Sequence, residues 1–249
     1  MSLSRRRFVA RVGQVGAFAA GSAVLGARGA EAATGWLARG QAAAPAAPEL
    51  IRLDSNENPV GPFPEVLDAI RGALRHAGRY PRFMGTGLVD DLARSHRTTP
   101  DHVLLGSGSG EILRMAVDAF TAPARGLGAG PPTFESPAGR ARQLERPVTE
   151  LPVDPRTLAL DLDALAERAR GAGLVFLCNP NNPTGLLHSG KAIRDFVARV
   201  HAVSPDTHVL VDEAYHDYVD DPAYETAVPL ALADPRVFVP RTFPKAYGM

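Results

Sequence analysis

The chain has 249 residues, 45% of them hydrophobic, and its 27 basic residues balance 27 acidic ones. That length gives ample core for one large domain or two small ones. Balanced charge with no polybasic run in the body argues against nucleic acid as a partner. A single cysteine excludes an internal disulfide, and seven scattered histidines show no HExxH or other close metal spacing, so no metal site is expected.

The chain opens on Ser4-Arg5-Arg6-Arg7-Phe8, which resembles the twin-arginine export signal. A mildly apolar run follows from Val12 to Ala27, too short and too weak for a stable transmembrane helix. Ala30-Glu31-Ala32 offers a small-x-small cleavage site. Residues 1–32 therefore read as a signal peptide that sends the protein to the periplasm or the extracellular space. Residues 33–50, mostly Ala, Gly and Pro, read as a flexible linker, and the domain proper is expected over 51–249.

Leu53-Asp54-Ser55-Asn56-Glu57-Asn58-Pro59 is loop chemistry, ended by Pro64 at a helix start. Apolar positions 66, 67, 70 and 74 make a helical stripe, which Arg79-Tyr80-Pro81 terminates. A second helix is expected over Gly87–Ser95 and a short buried strand at Val103-Leu104-Leu105. That strand would run into Gly106-Ser107-Gly108-Ser109-Gly110-Glu111 and a helix with apolar positions 112, 113, 116, 117 and 120. Strand, glycine turn and helix form an anion site, because backbone N–H groups and the helix dipole point at the ligand. A plain tight turn is an equal alternative, since the pattern is neither a Walker loop nor GxGxxG.

Gly130-Pro131-Pro132-Thr133-Phe134 reads as a loop ending in an aromatic, and Asp161–Ala169 as a helix. Leu174–Cys178 is wholly apolar and reads as a buried parallel strand, ending in Asn179-Pro180-Asn181-Asn182-Pro183-Thr184-Gly185. A helix over Ser189–Val203 leads to strand His208–Val211, which ends in Asp212-Glu213-Ala214-Tyr215. Strand Val237–Val239 leads to Lys245. The alternation predicts an α/β domain with a largely parallel sheet, and polar clusters fall at the carboxyl ends of three strands, where such sheets bind ligands.

Only two of the 27 basic residues are lysines, Lys191 and Lys245. An amine can lose its proton and form a Schiff base with a carbonyl, whereas a guanidinium, with a pKa above ~12, cannot. A lysine, a phosphate cradle, a carboxylate at a strand end, hydrogen-bonding Asn182 and Tyr215, and an aromatic face at Phe134 together suit pyridoxal phosphate, PLP.

The motifs DSNENPVGP, RYP, GSGSGE, PPTF, CNPNNPTG, VDEAY and RTFPKAYG, in that order over Leu50–Met249, resemble the fold-type I PLP-dependent aminotransferases, most of all the histidinol-phosphate aminotransferase group. The resemblance implies a three-layer PLP-transferase large domain. It implies that Lys245 holds PLP as a Schiff base and moves the Cα proton, with Asp212 paired to the pyridine nitrogen. Tyr215 and Asn182 would bond the ring oxygen. Ser107, Gly108 and Ser109 would bind the phosphate with help from Thr242. Phe134 would stack on the ring in place of the more usual tyrosine. Tyr80 would reach the phosphate of a neighbouring subunit, implying a homodimer. Asn56, Glu57 and Asn58 would lie near the substrate entrance, and Cys178 would be a buried strand residue. The implied reaction is transamination between an amino donor, such as histidinol phosphate or an aromatic amino acid, and a keto acid.

Two departures stand out. Pro244 replaces a usual serine, removing a hydroxyl and a backbone N–H. Relatives continue past the lysine with a phosphate-binding arginine, a further strand and a small domain, so this chain reads as most of the large domain with the C-terminal small domain absent. A threonine-phosphate decarboxylase-like enzyme and a non-catalytic PLP-binding remnant are the alternatives.

Overall fold

The computed structural model describes residues 54–80 and 86–249. The expected export signal and linker lie outside them. Five strands form one sheet: β1 (Leu127–Ala129), β2 (Val148–Glu150), β3 (Leu174–Cys178), β4 (His208–Asp212) and β5 (Val237–Phe238). Their order is β2-β1-β3-β4-β5 and every pairing is parallel. The register sets Leu174 beside His208 and Cys178 beside Asp212.

The sheet is covered on both sides, which is why its central strand is apolar throughout. Successive side chains point to opposite faces. Leu174, Phe176 and Cys178 pack with Leu113, Ala116 and Val117 of α3 (Ser109–Phe120) and with Ala138 and Ala141 of α4 (Ser136–Gln143). Val175 and Leu177 pack on the other face with Leu165 of α5 (Leu162–Arg168) and with Ile193, Phe196 and Val200 of α6 (Gly190–Val203). Each such large side chain, fully buried, contributes about 1.5–3 kcal/mol. The result is the expected three-layer α/β arrangement. Helices α5 and α6 begin at Asp161 and Ser189, whose side chains accept from the backbone N–H groups of Ala164 and Ala192.

Before the sheet come α1 (Pro64–Ala73) and α2 (Thr86–Ser95); α7 (Val228–Ala233) lies between β4 and β5. The apolar stripe of α1 is formed as expected, but none of its residues is buried. The strand expected at Val103–Leu105 does not form. The segment pairs with no strand among the described residues, and Leu104 and Leu105 stand 67% and 37% exposed. Without a neighbouring ladder or a covering layer, three apolar residues between a 3-10 turn at Pro100–His102 and a glycine turn remain a loop.

From β1 the chain passes to β2 on one side, then returns to β3 on the other side of β1. This reversal opens a crevice at the carboxyl ends of β1 and β3, the usual ligand position in an open parallel sheet.

Candidate active site

Asp212 ends β4 on the same face as Leu210, Cys178 and the α3 layer, as the strand alternation and the Cys178 register require. It is 2% exposed. Its Oδ1 accepts from the backbone N–H of Ala214 at 3.1 Å, and no ion pair reaches it among the described residues. Burial pushes its carboxyl up to about 7, against the pull of the Ala214 N–H; the Glu213 charge raises it further and the Lys245 charge lowers it. Burial, reinforced by Asp212, likewise pushes the Cys178 thiol up to about 12, so that residue is an inert part of the core.

Lys245 lies beyond β5 in an irregular segment. Its Nζ donates to the carbonyl oxygens of Ser55, at 3.3 Å, and Asn56, at 3.1 Å. The same Nζ stands 5.7 Å from the centre of the Tyr215 ring. Asn56 Nδ2 donates to the Tyr215 hydroxyl at 2.9 Å, and Asn58 Nδ2 donates to the carbonyl oxygens of Lys245 and Ala246 at 3.0 and 3.2 Å. Lys245, Tyr215, Asn56 and Asn58 are thus brought into one cluster. A cleft of about 390 Å³ opens beside it, lined by Asn56, Asn182, Tyr215, Tyr218 and Asp220 among others.

The CNPNNPTG motif divides its labour. The Asn179 side chain bridges to both backbone groups of His188, closing the loop. Asn181 accepts from Thr133 Oγ1 at 2.8 Å and donates to the Pro132 carbonyl at 3.0 Å, tying this loop to the PPTF loop. Among the described residues, only Asn182 of the three keeps its side-chain amide uncommitted, and it faces the cleft with Tyr215.

The glycine turn opens α3, with Gly108 at φ +76°, a left-handed conformation that glycine adopts without strain. The Glu111 carboxylate accepts from the Ser107 N–H at 2.6 Å, so the turn already engages an anionic oxygen. Phe134 is half-buried against the α3 face of the sheet. Ser107, Gly108, Ser109 and Phe134 therefore share that face with Asp212. Thr242 lies three residues before Lys245, half-buried. Glu57 is exposed in the loop between Asn56 and Asn58. Tyr80 stands 88% exposed, outside this cluster.

Two further residues, Glu213 and Arg241, lie within the VDEAY and RTFPKAYG motifs with no role assigned by them. Glu213 alternates to the face opposite Asp212, where its side chain is 1% exposed. It accepts from the Ala227 N–H at 2.6 Å, Thr226 Oγ1 at 2.8 Å, and Arg241 Nε and Nη2 at 3.1 and 2.9 Å. A buried acid needs a cation, and Arg241 supplies it. Adjacent acids at a strand's end point to opposite faces, so Glu213, one residue past β4, cannot share the ligand of Asp212. The pair ties the end of β4 to the segment that carries Lys245.

This donor set fits PLP. Asp212 is a buried carboxylate lacking a counter-ion, which a protonated ring nitrogen would provide. The Lys245 amine is near enough for its charge to act on that carboxylate; the Tyr215 phenol stands beside the amine and shares the cleft with the uncommitted Asn182 amide, and a glycine turn that engages an anionic oxygen opens α3.

A parallel sheet with a buried aspartate ending β4 and a lysine in the segment after β5 is a setting in which an α/β enzyme can hold an aldehyde cofactor. The family model for aminotransferase class I and II matches residues 48–249, and the chain belongs to that family. It is 39% identical over 203 residues to a histidinol-phosphate aminotransferase of Limosilactobacillus fermentum, covering 80% of this chain and 55% of that protein. It is 33% identical over 215 residues to an aromatic amino acid aminotransferase of Streptomyces avermitilis, covering 84% and 58%. Among solved structures, it matches the histidinol-phosphate aminotransferase of Sinorhizobium meliloti in complex with pyridoxal-5'-phosphate, with a TM-score of 0.68 and 28% identity over 78% of this chain and 52% of that one. The chain thus spans about half the length of the curated relatives it matches.

Proposed function

We propose that this chain carries the cofactor-binding part of a PLP-dependent aminotransferase whose amino donor is of the histidinol-phosphate or aromatic amino acid type. The observation that carries the reading is a buried Asp212 that makes no ion pair among the described residues and feels the charge of Lys245 from the segment after β5. When bound, PLP supplies an aldehyde carbon for an amine and a ring that accepts the electrons left when a Cα proton departs.

Every other role belongs to the chain. Lys245 would offer the amine that holds the aldehyde and, once displaced by the donor's amine, would carry the proton from the donor's Cα to the C4′ carbon of the cofactor. Asp212 holds the ring nitrogen in its protonated form by charge. The Tyr215 hydroxyl and the free Asn182 amide bond the ring oxygen. Phe134 provides an apolar ring face. Ser107, Gly108, Ser109 and Thr242 hold the phosphate. Pro244 offers no donor there. Asn56, on the Tyr215 hydroxyl and in the wall of the cleft, lies on the path of the incoming donor.

The assembly we propose is a homodimer. Uncovered Phe63, Leu74, Tyr80 and Leu104, all more than half exposed, support it as surface that a second copy would cover. No described helix is long and apolar enough to cross a membrane. Export by the twin-arginine route is proposed from the N-terminal sequence alone.

The test is cofactor attachment followed by turnover. Borohydride treatment of the chain with PLP is expected to fix the cofactor on Lys245, with Lys191, which pairs with Asp195, as the internal control. A Lys245→Ala chain labelled as strongly as the parent would remove the assignment. Keto product from histidinol phosphate or an aromatic donor marks transamination; carbon dioxide release would instead mark a decarboxylase.

A further inference from the structure

We propose that Asn58 is a positioning residue for Lys245 and not a substrate ligand. This rests on the reading that Lys245 is the PLP lysine. An asparagine side chain has two N–H hydrogens and one carbonyl oxygen. In Asn58 both hydrogens are committed to the Lys245 and Ala246 carbonyls. Its Oδ1 accepts from the Val60 N–H at 3.0 Å. The group is half-buried and has no hydrogen left for a substrate.

The Lys245 main chain needs such a holder. After the two residues of β5, nothing from Val239 to Met249 belongs to a helix or strand, and Phe243 and Pro244 are exposed. Apart from the Lys245 amine itself, the only other side-chain anchor of the Lys245–Met249 stretch among the described residues is the Tyr247 hydroxyl, which donates to Asp217 at 3.1 Å. Asn58 grips the backbone at the lysine itself. A second contact fixes the same pair of loops. Gly248 has φ +66°, and a Cβ there would lie 2.4 Å from the carbonyl carbon and oxygen of Gly61, so the two backbones touch. Gly61 in turn donates to the Asn58 carbonyl at 3.2 Å, closing the turn that presents the amide. With the main chain held at both points, Nζ falls on the Ser55 and Asn56 carbonyls beside the Tyr215 ring. A reacting group displaced by an ångström can lose about a hundredfold in rate, so a clamp on its backbone has a functional consequence.

The test uses the full chain with Asn58→Ala and Asn58→Asp. The aspartate keeps the shape and the Val60 acceptor but has no N–H for the two carbonyls. Without cofactor, competitive acetylation read by mass spectrometry compares Lys245 with Lys191. Both variants are expected to raise the Lys245 rate severalfold relative to Lys191. With subsaturating PLP, borohydride-fixed cofactor on Lys245 should fall about tenfold, while the dissociation constant of 4'-deoxypyridoxine phosphate, which has no aldehyde, stays within twofold of the parent. An unchanged acetylation ratio overturns the proposal. So does parental behaviour of Asn58→Asp, which would reduce the residue to its Val60 turn. Loss of the deoxy analogue to the same degree as PLP overturns it too, because the residue would then support the whole pocket. A parent chain that fixes no PLP would sink the cofactor reading instead, and the acetylation ratio would still decide the role of Asn58.

Discussion

Replacing Asp212 with asparagine should stabilise the cofactor-free chain while weakening its hold on PLP. The substitution keeps the shape and an acceptor for the Ala214 N–H, and removes only the charge. Burial holds this carboxyl at about 7, against an ordinary value of 3.8. Below 3.8 the group is protonated in both folded and unfolded chains and has no effect. Between there and 7 the folded chain keeps a proton that the unfolded chain has lost, so stability falls as pH rises. Above 7 the loss is complete. Roughly three pH units at about 1.4 kcal/mol each give about 4 kcal/mol. Urea unfolding of both cofactor-free chains at about pH 5, 6.5 and 8 isolates this group, since all other titrations are shared. The Asp212→Asn chain should gain on the parent with rising pH, by about 2–3 kcal/mol over that range. A difference that stays flat refutes the reasoning. Saturating PLP should stabilise the parent more than the variant, because a pyridinium turns the buried charge from a cost into an attraction.

Arg241→Ala should cost about 3–5 kcal/mol in the same urea assay, because it strands the Glu213 carboxylate without a counter-ion; a loss below about 1 kcal/mol would mean the pair does not hold the β4 end as described. Adding Glu213→Gln to that variant should recover part of the loss, as expected for coupled neighbours. Export of a reporter fused to residues 1–32 should fail when Arg5 and Arg6 both become lysine, and unimpaired transport would point to another route.

Long apolar runs made the centre of the fold readable. Leu174–Cys178 and His208–Asp212 declare themselves as strands because both faces are covered, and Asp161 and Ser189 mark their helices as caps. Strand β1 hid because Leu-Gly-Ala between glycines reads as a loop; it is a strand only because β2 and β3 flank it. Helix α4 lacks an apolar stripe, since it buries only Pro137, Ala138 and Ala141, small residues that admit a close approach. Val103–Leu105 misled in the opposite sense, being apolar without a partner ladder. Of the candidate site residues, Lys245, Asp212, Tyr215 and Asn182 stand out by chemical type and by lying at or after strand ends, and the structure brings Lys245 and Tyr215 together. Asn58 was placed at the substrate entrance, and its grip on the lysine backbone is a tertiary contact that no local pattern encodes.

That grip joins residues 187 positions apart. Closing so long a loop of free chain is unfavourable, and the entropy grows with the logarithm of its length. Helix α1, which follows Asn58, buries none of its residues, so the bonds of the Asn56–Asn58 loop to Tyr215, Lys245 and Ala246 themselves join the two loops. Lys245 follows β5 and Asn58 precedes β1, so the clamp exists only in a chain whose two ends have met. A nascent or partly unfolded chain would carry the same lysine without its clamp, and on the role proposed for Lys245 cofactor capture would report that the two loops have met.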